Sequence, residues 1–107
     1  MNSALVDKSS WTIISESPVP ALEIVLPNQT LILAWNQFVY AEGSGDEVRM
    51  AFASHDLIVK GTGLLPLLHA IPGHHLASIR QVTRVERFSS AEARFIREIQ
   101  IRRVEAE

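Results

Sequence analysis

Apolar residues in this chain come in short runs rich in β-branched side chains, most of them followed by proline, glycine, asparagine or aspartate. WTIIS (11–15), LEIVL (22–26), TLILAWNQFVY (30–40), VRMAFAS (48–54), LIVK (57–60) and HHLASIRQV (74–82) all have this form. Bounded runs of this kind read as strands joined by hairpins. VRMAFAS has the clearest period, with Val48, Met50 and Phe52 on one face and Arg49, Ala51 and Ala53 on the other. SESPVP, after the first run, holds two prolines that have no place in a central strand, and WTIIS reads as an edge strand. PNQT is a turn by composition, AEGSGDE (41–47) a glycine-rich hairpin connection, and His55-Asp56 a short corner. TLILAWNQFVY is long enough to need a bend or bulge near Asn36-Gln37.

The period changes after Gly61. Leu64, Leu67, Leu68 and Ile71 follow at helical spacing and predict one short helix over about 64–71. Gly63 or Thr62 is the expected N-cap, Pro66 falls in the first turn, and Pro72-Gly73 ends the helix. Leu65 lies off the main stripe, which predicts cover on more than one side. A helix of about two turns does not persist alone in water, so packing must hold it.

The C-terminal part carries a different charge pattern. Residues 80–107 hold seven arginines against five glutamates, whereas residues 1–79 hold three basic residues against seven acidic ones. Ser89 and Glu92 have capping-box spacing, yet FIREIQI is β-branched and roughly alternating. The expectation is a strand, paired with RQVTRVERF across a turn at 89–93, with arginine–glutamate pairs between the two.

With 107 residues, 47% hydrophobic and 21% charged, the chain has the size and composition of one globular domain. The expected organisation is a loose tail over 1–10 and a single small β-rich domain over 11–107. The fold class is therefore mainly β with one short helix: a small bent antiparallel sheet or partly open barrel, the helix plugging one end. The lack of cysteine excludes disulfides, thiolate catalysis and cysteine-type zinc sites. MNSALVDKSSW lacks the basic start and apolar run of a signal peptide, and no apolar stretch approaches the ~20 residues that span a bilayer. A cytoplasmic protein without a membrane partner is the expectation.

Few residues are arranged for chemistry. Lys60-Gly61-Thr62-Gly63 joins a strand to a helix start, the setting of an anion-binding loop, but it completes neither the Walker nor the dinucleotide pattern. The bland reading gives Gly61 and Gly63 to a tight turn that needs positive φ. His69, His74 and His75 flank the Pro-Gly stop and are the candidate metal ligands. Adjacent strand residues point to opposite faces, however, so His74 and His75 do not easily share an ion. Ser44 lacks a nucleophile elbow, and Asp46-Glu47 belongs to an exposed turn. No catalytic residue and no cofactor is assigned.

VKGTGLL (59–65) resembles the short Ile/Val-Arg/Lys-Gly element in the last strands of Sm-like RNA-binding barrels. The resemblance implies a small barrel of bent strands and places Lys60 and Gly61 at an RNA-contacting loop. Three functions follow in order of preference. The first is a non-catalytic binding or assembly module acting through a protein partner or as a homo-oligomer, with the C-terminal hairpin as the shared element. The second is a nucleic-acid-binding barrel using Arg94, Arg97, Arg102 and Arg103. The third is a metal- or ligand-dependent enzyme around the three histidines.

Overall fold

A computed structural model describes residues 10–82 and 94–104. Eight strands occur in this part: β1 (Trp11–Ile13), β2 (Ala21–Val25), β3 (Thr30–Ala34), β4 (Phe38–Gly43), β5 (Glu47–Phe52), β6 (His55–Thr62), β7 (Leu76–Arg80) and β8 (Phe95–Arg103). One short helix, α1 (Leu65–His69), lies between β6 and β7. The protein is mainly β, as its bounded apolar runs predict.

The strands form two four-stranded sheets, not one sheet and not a closed barrel. Sheet A has the order β1-β7-β2-β3 and sheet B the order β4-β5-β6-β8. All described pairings are antiparallel except β2 with β7, which run parallel. The chain leaves sheet A after β3, builds three strands of sheet B and the helix, then re-enters sheet A beside β2. Such a return leaves the direction of the incoming strand open, and no local signal in HHLASIRQV encodes it.

The division between sheets falls where a bend is expected. Trp35–Gln37 forms one 3-10 turn, so TLILAWNQFVY is two strands that belong to different sheets. Buried Trp35 anchors the crossing: its backbone N–H donates to the Pro20 carbonyl at 2.9 Å, and its indole Nε1 donates to the Leu76 carbonyl at 3.1 Å. Phe38 and Phe52 pack against the indole at centroid distances of 5.3 and 5.4 Å.

One core serves both sheets. Leu22, Ile24, Leu33 and Ile79 of sheet A join Val48, Met50, Leu57, Val59 and Ile96 of sheet B in a single buried cluster. Alternation supplies this directly, because Val48, Met50 and Phe52 are buried while Arg49 is exposed. Leu64, Leu67 and Ile71 enter the same cluster from the helical segment. The helix is shorter than 64–71, and its N-cap is Leu64, which makes no side-chain capping bond. Leu65 is exposed, so α1 is covered on one side, not on several.

The C-terminal segment is a strand, and its described partner is β6: Leu57 lies opposite Ile101 and Lys60 opposite Glu98. Residues 83–88 of the expected partner RQVTRVERF, the 89–93 turn and the Ser89–Glu92 capping box lie outside the described residues, as do residues 1–9 of the expected tail. Ser10, the last residue of that tail, is buried: its Oγ accepts from the Ile96 N–H at 2.9 Å and its carbonyl from the Arg80 N–H at 2.7 Å.

Candidate functional site

The glycines at the strand–helix junction do different things. Gly63 has φ 67°, so it serves the left-handed turn expected of it. Gly61 has no positive φ; it sits at a β-bulge against β8, where a Cβ would lie 2.1 Å from the Phe95 carbonyl oxygen. Close backbone approach, not turn geometry, is what excludes a side chain there. Lys60 and Gly61 both lie within β6, with Lys60 between Glu47 and Glu98 in the ladder.

The histidines diverge. His74 takes φ 60°, and its ring stacks on Trp35 with centroids 5.1 Å apart and planes 8° from parallel. The turn that places it is closed by His74 N–H to the Ile71 carbonyl and His75 N–H to the Ala70 carbonyl, a Schellman-type pair of bonds. His75 turns the other way, its Nδ1 2.8 Å from the Ile14 carbonyl oxygen. It shares an open groove of about 240 Å³ with His69, Ile13, Ser15, Pro66 and Ala70. Among the described residues no three His, Cys, Asp or Glu side chains are grouped to hold a metal ion.

The arginines Arg94, Arg97, Arg102 and Arg103 are all exposed, the last three on β8 and Arg94 just before it. Arg102 donates to Asp56 on β6 at 3.1 Å, a cross-strand pair of the expected kind on a different strand. On β5 Arg49 bonds Glu47 at 2.7 Å. That hydrogen bond raises the Arg49 pKa above its ordinary value, with no change of charge at neutral pH. A concavity of about 630 Å³ lies over the outer face of sheet B and is bordered by Tyr40, Arg49, Asp56, Ile58 and Arg102. Its two arginines each face a carboxylate, so it carries no excess charge for an anionic ligand. Arg49 and Ala51 signal this outer face in the alternation of VRMAFAS; the cross-strand partners depend on register and leave no local trace.

Ile32, Val39 and Tyr40 are 64%, 63% and 54% exposed, the highest values among the exposed large apolar residues. All three come from the segment holding β3 and β4. β3 is an edge of sheet A and β4 an edge of sheet B. One stretch of sequence thus supplies a border to each sheet and exposes large apolar side chains along both. Comparison with protein-family models, curated proteins and solved structures found no match to the chain.

Proposed function

We propose that this protein is a binding and assembly module that works by associating with protein, in the first instance with copies of itself. The observation that carries this reading is the exposure of large apolar side chains on two edge strands, Ile32 on β3 and Val39 and Tyr40 on β4. An edge presents unpaired backbone donors and acceptors that favour another strand, and exposed apolar side chains add surface to be buried with it. Three of the candidate polar residues have partners within the fold: His74 stacks on Trp35, His75 bonds the Ile14 carbonyl and Arg102 pairs with Asp56. Among the described residues no helix is long and apolar enough to cross a membrane.

Static light scattering across a dilution series tests the reading. A species heavier than 11.9 kDa that loses mass on dilution is expected. A constant mass of one chain at every concentration contradicts it.

A further inference from the structure

We infer that β3 is the strand through which two copies join, antiparallel and centred on Ile32, merging their A sheets into one eight-stranded sheet. This rests on the self-association reading above and names its surface.

The four sheet edges are not equivalent. β1 has only three residues and an irregular register with β7. β4 is bulged between Phe38 and Tyr40 and has α1 beside it. β8 carries Arg97, Glu98, Arg102 and Arg103, and part of its outer side is occupied: the Ile99 N–H donates to Gln81 Oε1 and the Ile96 carbonyl accepts from the Val82 N–H. Shortness, bulges, charge and cover are the devices that keep edges from pairing. Among the described residues β3 has none of them. Its five residues run in unbroken register with β2, and TLILA holds no charge and no proline.

The ladder fixes which groups point outward. Leu26 N–H donates to the Gln29 carbonyl, and Trp35 N–H to the Pro20 carbonyl, at the two ends of the β2–β3 register. Hydrogen-bonded pairs alternate in an antiparallel ladder, so Leu31 and Leu33 bond toward β2. Thr30, Ile32 and Ala34 then direct their N–H and C=O groups away from the sheet, and among the described residues nothing bonds them.

A second β3 fits these groups. With Ile32 opposite its own copy, Thr30 meets Ala34 and Leu31 meets Leu33, so each outward N–H finds a carbonyl. No like charges oppose one another, and the two exposed Ile32 side chains become cross-strand neighbours on the same face. A two-fold axis through Ile32 generates the arrangement, which closes on itself as a dimer.

Sedimentation velocity on the full chain tests this with three variants, each checked for folding by circular dichroism. Ile32→Pro removes an outward N–H that plays no part in the β2 ladder; Ile32→Lys places a charge at the axis; Val39→Lys alters the β4 edge. The expected result is a wild-type species near twice 11.9 kDa, loss of that species in both Ile32 variants, and its retention in Val39→Lys. If Ile32→Pro does not fold, Ile32→Lys decides alone. Persistence of the dimer in a folded Ile32 variant overturns the β3 junction and leaves self-association standing. A wild-type chain that is monomeric throughout overturns both.

Discussion

At the scale of single residues, three side chains connect sequence to fold most directly. Gly61→Ala sets a methyl group against the Phe95 backbone, so β6 and β8 must separate. We expect a loss of about 3 kcal/mol, measured by urea denaturation, at the upper end for an overpacked site. Trp35→Phe removes the bond to the Leu76 carbonyl and leaves a small void, which should cost about 2–3 kcal/mol. His74 combines a left-handed backbone with a stacked ring. His74→Gly should therefore destabilise less than His74→Ala, because glycine relieves the ~1–2 kcal/mol backbone strain while both lose the stack. A reversed order shows that the backbone at 74 is not strained. None of these roles is visible from residue type alone, since each depends on a neighbour more than 30 positions away or on a φ angle.

At the scale of elements, alternation makes the strands legible and their partners much less so. VRMAFAS becomes β5 with the expected face inward and the bend at Asn36-Gln37 is present, while LIVK lies within β6, which already begins at His55, so His55-Asp56 is strand and not the expected corner. The same run does not show that the bend moves the chain from one sheet to another, because that depends on where Trp35 finds its core. The β8 pairing illustrates the limit. FIREIQI reads as a strand from its own residues, while its pairing with β6 is a long-range event that period cannot encode. The charges along β8 follow from that pairing. Asp56→Asn should change stability by less than about 1 kcal/mol, since Arg102 is largely solvated. Arginine-to-serine changes at Arg94, Arg97, Arg102 and Arg103 test the nucleic-acid alternative through affinity for single- and double-stranded probes over a salt series. The assembly reading expects no measurable affinity at low salt; a steep linear fall of log affinity with log salt, lost in the variant, favours the alternative.

At the scale of the molecule, two small sheets share one core and, among the described residues, leave four edges, of which three carry devices against pairing. Of the candidates legible in the sequence, His74 stacks on Trp35 in a left-handed turn, Gly63 serves a turn and Gly61 a close backbone contact. The proposed association surface is less legible, because an edge is defined by the strand that does not sit beside it. TLILA resembles any apolar strand until the β2 register shows which of its groups face outward. Amide hydrogen exchange at two protein concentrations addresses that surface directly. The account predicts that the Thr30, Ile32 and Ala34 amides exchange more slowly as concentration rises, while the ladder-bonded Leu31 and Leu33 amides change little. Exchange at Ile32 that is fast and identical at both concentrations contradicts it.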